Sequence, residues 1–346
     1  MNIGFIVGKD EEIYNDKNLK KIVKKKHLVY NQLQSDVAIA LTIQESYPDI
    51  NVDIILPKEI TKSRLQKNDV NFILGYDFNS ILNEDPYVEK FNKNTMKGIA
   101  ELLYLYSDES CKVFPPIKHL QFILNKKKYL TKLHKNNVPI SQSIFFKRKN
   151  KLLNLINQVK DNKWKIFIIK PNGGTVSIGF KKFIVKDCLK NISILKNYLD
   201  ENELYDEFII QEFISGFRTY GEIKMFWINN KYSYAVNTID KGNDNYQVKN
   251  IINKNVLNDC KEIGEKAINL VPPIIINKKK VLPVLLRTDF TCCLNNNEKS
   301  KKYFLNEIEY QLCGSYINYS NIKYPYVPVI ADAFVKKAQE LIDLGF

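Results

Sequence analysis

The sequence predicts an α/β protein built from two or three packed lobes, and three observations carry that prediction. Its 346 residues and 40.4 kDa are about twice the usual size of one domain. Over the first 110 residues short apolar runs alternate with helix-patterned stretches, which is how an open α/β sheet is written. Beyond a proline pair at Pro115-Pro116 the chain becomes richer in strand patterns. Hydrophobic residues at 45% and charged residues at 26% exclude a disordered tail, a collagen and a small disulfide scaffold. No run approaches the roughly 18–20 apolar residues that span a bilayer. Met1 to Gly8 has an apolar core without a basic leader or a small-residue cleavage site, so it reads as a strand and not a signal peptide. The expectation is a soluble, cytoplasmic protein.

Taken in order, Ile3 to Val7 reads as a buried strand and His27 to Ser46 as a helix with Leu28, Leu33, Val37, Ala40, Leu41 and Gln44 at helical spacing. Val52 to Leu56 and Asn71 to Gly75 read as further buried strands, and Lys97 to Tyr106 as a helix. The lysine run from Lys20 to Lys26 is a solvated helix face or loop. Phe114-Pro115-Pro116 interrupts the pattern, since two prolines cannot sit inside a helix. A lysine-rich helix from Asn125 to Asn137 follows, stopped by Pro139. Next come a strand at Ser141 to Phe146, a helix at Leu152 to Val159 and a strand at Phe167 to Ile169. A glycine-bearing loop leads to strand Gly179 to Val185 and helix Lys186 to Leu199. The remaining strands are Phe208 to Gln211, Glu222 to Ile228, Tyr232 to Ile239, Val284 to Phe290 and Tyr303 to Ile308, with helices at 255–270 and 327–343. No internal repeat is visible, which excludes solenoids and propellers.

The net charge of +14 suggests nucleic acid at first sight, but only four of the 52 basic residues are arginine: Arg64, Arg148, Arg218 and Arg287. Guanidinium forks are what base and phosphate recognition favours, so their scarcity argues against a nucleic-acid partner. An acidic or phosphorylated small substrate suits the charge equally well. The six cysteines form no Cys-x-x-Cys pair, and His27, His119 and His134 show no ligand spacing.

Three clusters carry chemistry. In Ile168-Ile169-Lys170-Pro171-Asn172-Gly173-Gly174-Thr175-Val176-Ser177-Ile178-Gly179 a buried strand delivers a lysine to its end, and a loop of glycines and small hydroxyl residues follows. Backbone N–H groups of such a loop approach phosphate oxygens closely because no Cβ intervenes. An ordinary hairpin turn is the alternative. The second cluster is Arg287-Thr288-Asp289 followed by Glu307-Ile308-Glu309. Residues two apart on a strand share a face, so neighbouring strands would gather three carboxylates and one arginine. Left alone, three carboxylates repel and raise one another's pKa, and Mg²⁺ with its preference for oxygen ligands resolves the conflict. A surface ladder paired with Lys301 and Lys302 is the alternative, weakened by the apolar Leu285, Leu286, Phe304 and Leu305 around it. The third cluster is Phe208-Ile209-Ile210-Gln211-Glu212-Phe213-Ile214 with Glu222-Ile223-Lys224 on a following strand, where backbone groups between apolar walls would suit an adenine edge.

In this order and spacing the three clusters resemble the ATP-grasp superfamily, most of all the branch with D-alanine–D-alanine ligase, bacterial glutathione synthetase and the RimK-type glutamate ligases. The resemblance covers about 110–346, about two-thirds of the chain. It implies an ATP-grasp fold, two α+β subdomains clamping a nucleotide, at 114–206 and 207–346, preceded by a Rossmann-like domain at 1–113. It implies Lys126 as the first nucleotide lysine, counted back from Asn137-Val138-Pro139, with Lys127 and Lys128 as neighbouring alternatives. Lys170 matches the second lysine, and Gly173, Gly174 and Ser177 belong to the loop that closes over the phosphates. Gln211, Glu212, Phe213 and Ile214 resemble the adenine hinge, Glu222 the ribose-binding acid, and Lys224 stands where the family often has arginine. Lys241 is a further phosphate contact. Asp289 and Glu307 match metal ligands, and Glu309 replaces the usual asparagine as the third.

The resemblance further implies ATP and two Mg²⁺, with Mn²⁺ as a substitute, and a carboxylate–amine ligase acting through an acylphosphate. Lys170 and Arg287 would be its catalytic groups, Arg287 facing the acylphosphate or tetrahedral oxyanion. The substrates expected are small carboxylates and amines, with no membrane partner and a homodimer compatible with the family. A kinase phosphorylating an alcohol such as an inositol phosphate is the alternative. Cys313, Gly314 and Ser315 follow the metal strand, where related ligases form the acceptor pocket, and Arg218 lies just past the hinge.

Overall fold

The computed structural model describes residues 1–8, 19, 22–25, 28–29, 32–56, 59–74, 99–173, 179–240, 246–251, 253–293, 302–310, 316 and 326–346. The first lobe is built on β1 (Asn2–Ile6), β4 (Asn51–Ile55), β5 (Val70–Ile73) and β6 (Val113–Phe114), in the order β4-β1-β5-β6 with every pairing parallel. A parallel sheet needs cover on both faces. Here Phe5 and Phe72 lie on one side with helix α1 (Ser35–Ser46), and Ile6, Ile55 and Ile73 face the other. The expected helix from His27 starts only at Ser35, because Leu28–Val29 (β2) and Gln32–Leu33 (β3) pair antiparallel ahead of it. A four-residue helix α2 (Lys62–Leu65) lies between β4 and β5, and α3 (Ile99–Ser107) precedes β6.

Directly after Pro116 comes α4 (Ile117–Leu124), a helix that the sequence pattern did not predict. Proline is excluded from helix interiors but tolerated at the start, so the pair Pro115-Pro116 opens a helix here instead of forming a loop. Asn125, in an extended conformation, caps α5 (Lys126–Lys135) through its side chain on the Lys128 amide at 2.9 Å.

The second lobe holds an antiparallel sheet in the order β7-β10-β8-β9, from β7 (Ser143–Lys147), β8 (Ile166–Pro171), β9 (Lys181–Ile184) and β10 (Glu207–Glu212). Helix α6 (Leu152–Asp161) covers it together with α7 (Val185–Lys190) and α8 (Ser193–Glu201). The single helix expected at Lys186 to Leu199 is split because Asn191 turns its side chain onto the Ser193 amide and hydroxyl, at 3.1 and 2.6 Å.

The third lobe is an antiparallel sheet in the order β13-β12-β11-β16-β17, from β11 (Glu222–Ile228), β12 (Lys231–Asp240), β13 (Tyr246–Asn250), β16 (Leu285–Cys293) and β17 (Lys302–Tyr310). A short turn, α9 (Gly216–Thr219), enters it, and α10 (Lys254–Asn269) packs on one face with Gly264 against Trp227. Between α10 and β16, a hairpin of β14 (Ile274–Ile276) and β15 (Lys279–Val281) turns at Asn277 and Lys278, both with positive φ. Helix α11 (Tyr326–Asp343) returns to the first lobe, where Phe334 packs edge-on against Phe5 and Phe72 at 5.7 and 4.9 Å. The linker after α5 is tied to the third lobe by a bond from the Leu305 amide to the Pro139 carbonyl at 2.9 Å.

Candidate functional site

The site lies where the second lobe meets the third. Strands β11, β16 and β17 run side by side, with Lys224 opposite Asp289, Asp289 opposite Glu307 and Arg287 opposite Glu309. Because side chains alternate along a strand, Glu222, Lys224, Arg287, Asp289, Glu307 and Glu309 all fall on one face. Lys126 at the head of α5 and Lys170 near the end of β8 in the second lobe reach that face, 3.5 and 3.4 Å from the same Glu307 oxygen. The sequence-predicted lysines and carboxylates therefore meet in one place. Of the three adjacent lysines, Lys126 is the one that reaches Glu307. Lys127 pairs with Glu207 at 2.8 Å, and Lys128 lies over the Phe122 ring at 5.8 Å.

The charges are sealed to different depths. Asp289 is 1% exposed and accepts from three donors: Arg287 Nε at 2.8 Å, Arg287 Nη2 at 2.9 Å and Lys224 Nζ at 2.7 Å. Burial alone would raise its pKa, but the neighbouring Arg287 and Lys224 outweigh that and hold it low. Burial would likewise strip the Lys224 proton, but Asp289 and Glu222 outweigh it and hold the ammonium charged far into the alkaline range. Glu307 is kept ionised against its burial by Lys126 and Lys170. Glu309, with Arg287 no nearer than 3.9 Å, is pushed up by burial. For Lys170 burial dominates, and its pKa falls.

Glu222 is already engaged: one oxygen accepts from Lys224 at 3.1 Å and the other from the Asn306 amide at 3.1 Å. Asn306 carries no motif signal of its own, although it directly precedes Glu307. At the hinge the Gln211 side chain donates to Ser143 Oγ at 2.9 Å, inside the sheet, and the Phe213 amide donates to the Ile166 carbonyl at 3.0 Å. The Phe213 ring carries Lys182 at 4.7 Å and Arg218 at 6.0 Å. Glu212 is exposed and Ile214 half-buried at the end of that strand. The glycine loop begins at Gly173, where β8 is pinned by Asn172, whose side chain accepts from the Lys127 amide at 2.8 Å. Gly174, Ser177, Lys241, Cys313, Gly314 and Ser315 lie outside the described residues.

Two further features have no counterpart among the sequence motifs. Asp36, fully buried at the start of α1, accepts from the Gly8 amide at 2.9 Å, beyond the carboxyl end of β1. Beside it the Gln34 side-chain oxygen is buried with no hydrogen-bond partner among the described residues. A strand ending in glycine, followed by Gln-Ser-Asp at the head of an apolar helix, is the signal that would have marked them. Cys111, Cys188 and Cys260 are buried free thiols, and burial raises Cys188 to about 11, as suits idle core residues.

Among the described residues no three His, Cys, Asp or Glu side chains converge as a ready metal cluster, and no helix is long and apolar enough to cross a membrane. The first absence has a visible cause: Asp289 turns its carboxylate to Arg287 and Lys224. No protein-family model and no curated protein matches the sequence. Solved structures do match. D-cycloserine synthetase DcsG superposes with a TM-score of 0.64 at 12% identity, over 98% of this chain and 100% of that one. D-alanine–D-alanine ligase from Bacillus anthracis gives 0.60 at 13% identity over 100% of both chains. The ATP-grasp ligase PsnB, complexed with a precursor peptide and AMPPNP, gives 0.57 at 11% identity, over 97% of this chain and 98% of that one. The chain has the ATP-grasp fold.

Proposed function

We propose that this protein is an ATP-dependent ligase that activates a carboxylate as an acylphosphate and joins it to an amine. The observation that carries the proposal is the convergence of Lys126, at the head of α5, and Lys170, on β8 of the second lobe, on Glu307 of the third. Two ammonium groups facing a half-buried carboxylate suit the phosphates of a nucleotide, which would replace Glu307 as their partner. The fold adds support, since an ATP complex of D-alanine–D-alanine ligase and an Mg–ADP complex of PsnB superpose on this chain with TM-scores of 0.52 and 0.58.

The residues present fit a magnesium ion in part. Glu307 and Glu309 are two apart on β17, share a face and keep 21% and 15% of their side chains exposed, so their oxygens are open to a hard cation. Asp289 fits poorly, because Arg287 and Lys224 already occupy three of its roughly four lone-pair sites. Bound at the two glutamates, the ion would offset the charge of the transferring phosphates. The chain's own residues would do the rest. Lys170 and Lys126 would hold the phosphates in line, and Phe213 would wall the base next to the Glu212 carbonyl and Ile214 amide. Arg287, fixed by Asp289 in a two-pronged contact, would present the outer edge of its guanidinium to the acylphosphate and to the oxyanion formed when the amine attacks.

The test is product analysis over a panel of amino acids, peptides and other amines. Release of ADP and free phosphate that requires both a carboxylate and an amine is the expected outcome, and Arg287→Ala should abolish it while nucleotide binding survives. ADP formed with a stable phosphorylated alcohol would replace the ligase reading by a kinase.

A further inference from the structure

We infer that Lys224 occupies the cation position beside Asp289, so that this chain carries its nucleotide with one divalent ion instead of two. The inference rests on the nucleotide reading above and adds to it a statement about this chain's own residues.

Asp289 is fixed before any ion arrives. Its backbone stands opposite Lys224 in the register of β11 and β16, so the two side chains are neighbours by construction. The Lys224 ammonium lies 2.7 Å from one Asp289 oxygen and 3.1 Å from Glu222, and the residue is 6% exposed. That is the geometry of a bound cation between two carboxylates, supplied by the chain itself. An ammonium serves this role better than a guanidinium, because it is a compact point charge. Arg287 takes the second lone pair of the Asp289 oxygen that Lys224 contacts through Nη2, and one of the two on the other oxygen through Nε. A dication reaching Asp289 would have to sit against these two cations or displace one of them. The displaced charge would stay buried beside the incoming one, without its carboxylate and with like charge as its neighbour.

Glu307 and Glu309 differ in kind. The lysines facing Glu307 stand off at 3.4 and 3.5 Å, and neither lies on its sheet: Lys170 stands near the end of β8 of the second lobe and Lys126 heads α5. They can follow phosphate oxygens when a nucleotide enters, leaving the two glutamates to a single ion. On this account Asp289 is a positioning residue that orients Arg287, and only the glutamate pair meets metal.

The experiment counts Mn²⁺ by electron paramagnetic resonance on the full chain with the non-hydrolysable analogue AMPPNP, in the wild type and in Lys224→Met, Lys224→Gln and Lys224→Arg. One tightly bound Mn²⁺ per chain is expected for the wild type and for Lys224→Arg. A second is expected in whichever neutral variant folds, with at least tenfold tighter binding of that second ion than in the wild type. Two tight ions on the wild type, or one on a folded neutral variant, would overturn the inference and leave the ligase reading standing. A wild type that binds no nucleotide would sink the ligase reading first.

Discussion

The five-stranded sheet of the third lobe has two faces that obey opposite rules. On one, Glu222, Lys224, Asp289, Arg287 and Glu309 form a chain of ion pairs, and Glu307 beside them pairs with Lys126 and Lys170. On the other, Ile223, Met225, Trp227, Leu286, Phe290, Ile308 and Tyr310 pack under α10 and α4 in one apolar cluster. The same three strands supply both, one residue out of step. The difference teaches that stability and chemistry are separable here. Burying charge is costly even when it is paired, so the ionic face is a poor source of fold stability. The apolar face supplies what the ionic face spends.

The largest test removes Trp227. Its ring is fully buried, and its Nε1 donates to Thr288 Oγ1 at 2.8 Å. Trp227→Ala should cost about 3–5 kcal/mol in chemical denaturation, as large-to-small core changes do. Activity per folded molecule should be nearly unchanged. A loss of turnover in protein that remains folded would show that the two faces are coupled.

Lys170→Met makes the reciprocal test. The side chain lies in a site where burial already lowers its pKa, so the methionine should leave the melting temperature far less changed than Trp227→Ala does. The rate of ADP formation should fall roughly 10²–10³-fold, the usual cost of removing one donor aimed at developing charge. Equal losses of stability and rate would break the comparison.

A third test uses pH. His119 on α4 belongs to the apolar side, 6% exposed and edge-on to Tyr310 at 5.6 Å. Burial lowers its pKa to about 4, against a weaker contrary pull from the Pro272 carbonyl. In the unfolded chain the group titrates near the ordinary value of about 6.5. Between those values the unfolded state binds more protons, so stability is complete above 6.5 and is lost as the pH falls towards 4. The loss should reach about 3 kcal/mol at the lower end. His119→Phe should flatten that part of the stability profile in urea melts, and an unchanged slope would remove His119 as its source.

The two faces are also unequally legible in the sequence. Alternation along Arg287-Thr288-Asp289 and Glu307-Ile308-Glu309 is enough to put the charged groups on one face, because a strand has period two. The partners of that face are not legible in this way. Lys224 and Asp289 are 65 apart in sequence, and only the pairing of β11 with β16 brings them together. Asn306 carries no local signal for the same reason, as it acts through a contact distant in sequence. Local rules fail where one residue has two uses. Pro116 opens a helix where the proline pair suggests a break, and Asn191 splits a helix that periodicity alone would continue. Asn137 shows the gain from reading types physically: it adopts φ 55°, a left-handed conformation that asparagine tolerates.

The smallest test concerns Gly264, where α10 meets the apolar face. A Cβ built there would lie 2.4 Å from Trp227 Cζ2 and 3.3 Å from Phe290 Cζ. The first distance is shorter than any real contact and the second is tight, and both neighbours are large rings locked in the core. Alanine would favour the helix by roughly 1 kcal/mol relative to glycine, so the two effects oppose each other. Overpacking costs typically about 1–3 kcal/mol, and the rings have little room to yield. The net expectation for Gly264→Ala is a loss of about 1 kcal/mol, with turnover and nucleotide affinity unchanged. A gain in stability would mean that α10 can slide on the sheet, and the apolar face would then be more plastic than the ionic face it supports.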